Sequence, residues 1–82
     1  MAIDLNGRAA IVTGAGGGIG AALVRRAVAE GMIVHAWDRL PITDETLPDQ
    51  VHARRVDVTD EDAVRRATEE IFAQGTEVAL VC

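Results

Sequence analysis

The chain has 82 residues, 49% of them apolar and 26% charged, which suits one globular domain and argues against disorder. Its formal net charge of −5 speaks against non-specific binding to nucleic acid or anionic lipid, because both need a positive surface. It contains no serine, tyrosine or lysine, which excludes serine hydrolases, lysine Schiff-base enzymes and P-loop NTPases, and its one cysteine excludes an internal disulfide framework or a zinc site.

Short apolar runs alternate with longer segments of helical periodicity along the chain. The first strand is predicted over residues 9–13, and a helix over residues 19–30 ends before a glycine. A second strand is predicted over 32–37 and a third over 51–58. The intervening residues 39–50 contain two prolines and are predicted to form a loop with at most one helical turn.

The second helix is predicted to open at residues 59–62, where Thr59 can accept a hydrogen bond from a free backbone N–H. The acidic residues of this segment suit the positive end of the helix dipole. Gly75 follows the helix, and residues 78–82 form the fourth predicted strand. We expect each helix to pack through an apolar stripe, formed by Ile19, Leu23, Ala27 and Val28 in the first and by Val64, Ala67, Ile71 and Phe72 in the second.

Strands that alternate with helices predict an α/β fold with a parallel sheet of about four strands. Right-handed crossovers give the strand order 3-2-1-4, with helices on both faces of the sheet. This arrangement is a partial, doubly wound Rossmann fold, in which a ligand crevice lies at the switch between strands one and four. We therefore predict that residues 1–82 form one nucleotide-binding half-domain.

Five glycines lie within residues 14–20, the segment that joins the first strand to the first helix. Such a run is costly in backbone entropy unless the conformation requires it. Two requirements fit: a tight turn with positive φ, and a bare backbone that lets a pyrophosphate approach the free N–H groups at the helix start. The alternative is a flexible strand-to-helix turn. The residues concerned are Gly14, Gly16, Gly17, Gly18 and Gly20.

Acidic residues follow the second and third predicted strands. Asp38 could accept hydrogen bonds from both hydroxyls of an adenosine ribose and repel a 2′-phosphate, which favours NAD over NADP; it could also simply form a turn. The guanidinium of Arg39 acts the other way, because it could pair with a 2′-phosphate if Asp38 turned away. Asp57 could accept from an adenine amino group while Val58 packs on the ring, but Asp57 could equally cap the turn into the second helix.

The pattern Thr-Gly-x-x-x-Gly-x-Gly at residues 13–20, followed by Asp38 and by Asp57-Val58, resembles the amino-terminal half of the short-chain dehydrogenase/reductase family. The opening residues 5–8, Leu-Asn-Gly-Arg, are similar too. The resemblance implies an oxidoreductase that transfers hydride between NAD(P) and an alcohol or carbonyl substrate. It further implies that Gly14, Gly16, Gly17, Gly18, Ile19 and Gly20 surround the cofactor phosphates and nicotinamide side, that Asp38 and Arg39 contact the ribose, and that Asp57 and Val58 contact the adenine.

The chain departs from this family in its catalytic residues. The family's Asn-Ala-Gly segment, its serine and its Tyr-x-x-x-Lys pair have no counterpart in residues 1–82. The family's chemistry needs the tyrosine to exchange a proton with the substrate oxygen while the lysine lowers the tyrosine pKa. We therefore predict no catalytic residue, and expect a truncated half-domain that holds at most part of a dinucleotide.

Two other functions stay open. A redox sensor or regulatory module could hold the nucleotide without chemistry. A methyltransferase fragment could use Gly14, Gly16, Gly18 and Asp38 for S-adenosylmethionine, although such sites usually carry an acid two residues before the first glycine, where this chain has Val12.

The remaining residues are expected to be structural. Two histidines, His35 and His52, are predicted to be neutral and packed in strands, and Cys82 to be a small buried strand residue. The fourth strand would leave an apolar edge uncovered, so we expect a marginal or self-associating chain. Without a membrane-spanning stretch or secretory signal, we expect a cytoplasmic protein whose partners are a dinucleotide and, in the full-length family, a small alcohol or carbonyl substrate.

Overall fold

The computed structural model describes residues 4–42 and 47–82. Four strands form one parallel sheet in the order β3-β2-β1-β4, which confirms the fold class and strand order predicted from the sequence. Any helical turn within residues 43–46 of the predicted loop lies outside the described residues. In chain order the elements are β1 (Ala9–Thr13), α1 (Gly18–Ala29), β2 (Ile33–Asp38), β3 (Val51–Arg55), α2 (Glu61–Ala73) and β4 (Val78–Val81).

The two helices cover opposite faces of the sheet, as predicted. Alternate residues of a strand point to opposite faces. In β1, Ala10 and Val12 pack on the α1 side, whereas Ile11 packs on the α2 side. The buried residues on the α1 side are Ala10, Val12, Ala15, Val24, Ala27, Met32, Val34 and Ala36, and those on the α2 side are Ile11, Trp37, Val56, Ala67 and Ile71.

The connection between β3 and α2 differs from the prediction. β3 ends at Arg55, because Asp57 begins a turn in which its backbone carbonyl accepts the N–H of Asp60 at 3.0 Å. Asp60, rather than Thr59, is the N-cap of α2, and its Oδ1 accepts the N–H groups of Asp62 and Ala63 at 3.1 Å each. Residues 57 and 58 therefore lie in a loop beyond the strand.

Three apolar residues predicted to be buried are exposed. Ile19 is 83% exposed because it lies in the first turn of α1, and Val24 occupies the core instead. Phe72 is 62% exposed because consecutive helical residues point about 100° apart, and its neighbour Ile71 faces the sheet. Cys82 is exposed because it follows β4 at the edge of the sheet.

β4 forms the edge beside β1. Its residues Leu80 and Val81 are exposed, in agreement with the apolar edge predicted from the sequence. Val78 packs against the buried residues on the α2 side. Within residues 4–42 and 47–82, neither helix is long and apolar enough to cross a membrane.

Candidate functional site

The glycine loop leaves β1 and enters α1 at the carboxyl edge of the sheet. Gly14 has a φ of +63°, a left-handed conformation that favours glycine. The N–H of Ala15 donates to the carbonyl of Trp37 at 3.0 Å, which fixes the loop to β2, and the N–H of Gly17 donates back to the carbonyl of Gly14 at 3.0 Å. These contacts define the shape of the turn.

Two glycines of α1 differ in what surrounds them. A Cβ on Gly20 would overlap the carbonyl oxygen of Gly14 and lie 2.9 Å from the Cα of Ala15, so the helix and the loop are in backbone contact. A Cβ on Gly18 would meet no protein atom of the described chain within 4 Å. Packing within the chain requires the glycine at position 20, whereas the space beside Gly18 is available to a ligand.

The N-terminus of α1 has no cap from a side chain. Its N-cap, Gly17, offers no side-chain acceptor, and the first turn contains no acidic residue. The first backbone bond is from the N–H of Ala21 to the carbonyl of Gly17 at 2.8 Å. Within residues 4–42 and 47–82, the N–H groups of Gly18, Ile19 and Gly20 find no acceptor. Free donors at the positive end of a helix dipole can bind an anion.

Asp38 lies at the end of β2 and contacts the glycine loop. Its Oδ2 accepts the N–H of Gly16 at 2.9 Å, and its Oδ1 accepts the N–H of Leu40 at 3.1 Å. The bonds from Leu40 and then from Gly16, together with the charge of Arg39, lower the pKa of Asp38, so the carboxylate is ionised at neutral pH. A cavity of about 440 Å³ between α1 and the segment after β2 opens beside Gly16.

Asp57 caps a local turn at the same edge, which is one of the two roles that the sequence left open. Its Oδ1 accepts the hydroxyl of Thr59 at 2.7 Å and the N–H of Thr59 at 2.9 Å, and these bonds lower its pKa. The charge of Arg39 also lowers the pKa of Asp57, so this guanidinium acts on both carboxylates of the edge. Val58 follows and is 55% exposed.

Two further residues of this edge were missed by sequence reasoning. Leu40 is 62% exposed, although it is a large aliphatic residue held by its backbone to Asp38. The side chain of Arg55 donates from Nε to the carbonyl of Arg39 at 3.0 Å and thereby ties the end of β3 to the turn after β2. An aliphatic residue directly after an acid–arginine pair was the available signal for Leu40; nothing local in the sequence indicated Arg55.

The histidines lie elsewhere. His35 and His52 are partners in the β2–β3 register and line a cavity beside α2, on the face opposite α1. Across the described segments, no group of three or more His, Cys, Asp or Glu side chains could hold a metal ion. The structure thus brings together the predicted glycines, Ile19, Asp38 at the end of β2 and Asp57 in the loop after β3, all on the side of the sheet where the strands end.

The sheet order and the helices on both faces define a doubly wound, Rossmann-like α/β domain. The sequence matches the short chain dehydrogenase family over residues 8–82, so the chain belongs to that family. It is 39% identical over 66 residues to the NAD-dependent glucose-6-phosphate dehydrogenase of Haloferax volcanii, covering 77% of this chain and 25% of that protein.

Solved structures agree with this assignment. Ligand-free aldohexose dehydrogenase from Thermoplasma acidophilum is 33% identical with a TM-score of 0.78, covering 94% of this chain and 29% of that one. A short chain dehydrogenase from Leptospira borgpetersenii with bound NAD+ shares the fold at a TM-score of 0.84 and 15% identity, covering 95% of this chain and 31% of that one. The chain therefore spans between a quarter and a third of the length of these relatives.

Proposed function

We propose that this chain is the dinucleotide-binding part of a short-chain dehydrogenase that transfers hydride between NAD and an alcohol or carbonyl substrate. The observation that carries the proposal is the uncapped start of α1, where three N–H groups find no acceptor among the described residues and Gly18 borders open space. Asp38 contacts the same loop through the N–H of Gly16. A diphosphate supplies the negative charge and the acceptors that such a helix start lacks.

Each part of the edge then has a role toward the cofactor. The diphosphate lies against the N–H groups of Gly18, Ile19 and Gly20, while Gly14, Gly16 and Gly17 maintain the turn. The exposed side chain of Ile19 covers the nicotinamide side. Asp38 and Arg39 contact the adenosine ribose, and Asp57 and Val58, together with Leu40, border the adenine.

NAD is favoured over NADP by charge. The lowered pKa of Asp38 keeps its carboxylate ionised, and a 2′-phosphate on the adjacent ribose would meet this negative charge. The charge of Arg39 lowers the pKa of Asp38, so the two side chains interact. The carboxylate of Asp38 therefore already compensates part of the positive charge that Arg39 could offer to a 2′-phosphate. The relative from Haloferax volcanii is an NAD-dependent dehydrogenase, which supports this preference.

The described residues are proposed to bind and orient the dinucleotide, and they do not perform the acid–base step of the reaction. Hydride transfer is chemistry that the nicotinamide supplies when it is bound. The chain has no serine, tyrosine or lysine to exchange a proton with a substrate oxygen, so we assign no catalytic residue to it. Residues 1–82 are proposed to act as a cofactor-binding half-domain.

The experiment is a titration of the 82-residue chain with NADH, NADPH and S-adenosylmethionine. Energy transfer from Trp37, the chain's one tryptophan, to the nicotinamide reports on NADH and NADPH, and calorimetry reports on all three ligands. We expect NADH to bind more tightly than NADPH. Asp38→Asn removes charge-assisted hydrogen bonds to the ribose, so the affinity for NADH should fall about 10- to 100-fold. The ratio of NADH affinity to NADPH affinity should also decrease.

Asp49→Asn is the matched control. Asp49 is exposed and lies just before the start of β3, whereas Asp38 lies at the end of the parallel neighbour β2. The same chemical change at Asp49 should therefore leave the affinities for NADH and NADPH unaltered. A chain that prefers S-adenosylmethionine, or that binds NADH equally well with aspartate or asparagine at position 38, would refute the proposal.

A further inference from the structure

Two histidines stack between β2 and β3 on the face of the sheet that α2 covers. His35 and His52 are direct partners in the parallel register, and their ring centroids lie 5.4 Å apart with the ring planes 24° from parallel. Both line a cavity of about 210 Å³ whose other wall is formed by α2, including Glu70 and Ile71. The candidate dinucleotide site does not use either ring.

His35 is built to be neutral. Its side chain is buried, with 6% of the residue exposed, and its Nε2 has no hydrogen-bond partner within the described residues. A neutral imidazole can leave one nitrogen as a bare acceptor, whereas a protonated ring has two N–H donors that need acceptors. Burial, and secondarily the neighbouring His52, lower the pKa of His35.

The charged groups around the two rings do not compensate a proton on His35. Arg54 of β3 and Glu70 of α2 line the same cavity and form an ion pair with each other, so together they add no net charge. β1 contributes Ile11 and β2 contributes Trp37 to this face, and neither side chain is ionisable. A proton on His35 would therefore be buried beside a second imidazole, without a free carboxylate among the described neighbours.

We propose that His35, buried under α2 and stacked on His52, makes the packing of α2 on the sheet sensitive to protons, so that mild acid releases this helix before it releases α1. Protonation of His35 is easier once α2 has opened, because water then reaches this buried ring, whereas His52 is already exposed. Since α2 begins just after the turn of Asp57, its release also disturbs the adenosine edge, a consequence that rests on the proposed function.

The sign and size follow from proton linkage. The folded pKa of His35 lies below the ordinary value of about 6.5, so the open state takes up a proton that the closed state does not. Stability present at pH 7.5 is therefore lost as the pH falls through 6.5 toward the folded value. At pH 5 the population of the open state should rise by up to about 30-fold for one such histidine. Carboxylates with pKa values near 4 stay largely ionised in this range and add little.

Amide hydrogen exchange at pH 7.5 and pH 5, corrected for the intrinsic exchange rate, measures the opening of each helix without any dinucleotide. We expect protection in α2 to fall by up to about 30-fold and protection in α1, which packs on the other face, to change much less. In His35→Leu, the loss of amide protection in α2 between pH 7.5 and pH 5 should be about 3-fold or less. His52→Gln should retain most of it, because burial of His35 is the larger cause.

A direct titration completes the test. The ring resonances of His35 in the unaltered chain should titrate with a midpoint below 6.5, and this measurement stands even if a variant fails to fold. A midpoint at or above 6.5, an equal loss of protection in α1 and α2, or an undiminished effect in His35→Leu would overturn the proposal. None of these readouts depends on nucleotide binding, so failure here is distinguishable from failure of the proposed function.

Discussion

Gly18 and Gly20 lie two residues apart in α1, and an added methyl group should affect them differently. In Gly20→Ala the Cβ would overlap the carbonyl oxygen of Gly14 and lie 2.7 Å from its carbonyl carbon and 2.9 Å from the Cα of Ala15. Backbone atoms cannot rotate aside, so the helix must shift. Overpacking of this kind costs about 3 kcal/mol at its upper end, and the helix propensity of alanine returns about 1 kcal/mol.

The expected net loss for Gly20→Ala is therefore about 2 kcal/mol, which lowers the Tm of a domain of this size by about 10 °C. Gly18→Ala meets no protein atom, so stability should be unchanged or higher by up to about 1 kcal/mol. Its methyl group nevertheless occupies the space through which a diphosphate would reach the free N–H groups. We expect NADH affinity to fall at least about 10-fold, or about 1.4 kcal/mol.

Thermal and urea denaturation followed by circular dichroism measure stability, and calorimetry with NADH measures affinity. Gly18→Ala should lose binding while keeping its fold, and Gly20→Ala should lose stability. If Gly18→Ala bound NADH as the unaltered chain does, the diphosphate would not lie at the start of α1. If Gly20→Ala were as stable as the unaltered chain, the close contact between helix and loop would be incorrect.

Two further predictions concern stability. Asp60→Ala removes the acceptor of two N–H groups in the first turn of α2 and should cost about 1 kcal/mol in urea denaturation, whereas Thr59→Ala should cost less than half as much; equal costs would contradict the cap. Hydrogen bonds from Leu40 and Gly16 lower the pKa of Asp38 in the folded chain. The ionised carboxylate therefore adds to the free energy of unfolding above a pH of about 4, and this stabilisation is lost as the pH falls through the folded pKa. Asp38→Asn should flatten the acid denaturation profile below about pH 4, and an unchanged profile would refute this reasoning.

The sheet order could be predicted because it depends on periodicity and on chain connectivity. Apolar runs separated by helical segments leave few arrangements once crossovers are right-handed. The same connectivity brings the carboxyl ends of β1, β2 and β3 to one side of the sheet, so the sequence places the glycine loop, Asp38 and Asp57 near one another. These predictions therefore depend on the chain topology and not on any single residue.

The sequence could not predict which of two adjacent residues takes a given structural role when both are chemically suited to it. Thr59 and Asp60 are adjacent and both can cap a helix, and only the turn made by Asp57 decides between them. Ile71 and Phe72 are adjacent and both apolar, so a small error in helix phase exchanges the buried residue for the exposed one. The burial of His35 depends on a cavity under α2 that no local pattern reports.

The two helices of this chain begin in opposite electrostatic states. α2 is capped by the carboxylate of Asp60 and has two further acids in its first turn, so its positive end is compensated within the chain. The first turn of α1 has neither a side-chain cap nor an acid, but two carboxylates lie on the same side of the sheet, Asp38 at the end of β2 and Asp57 in the loop after β3. A ligand that complements this edge must carry negative charge over α1 and hydroxyl or amino donors beside the two carboxylates. A diphosphate joined to a ribose and an adenine combines these groups in that order, whereas a free phosphate would satisfy only the helix.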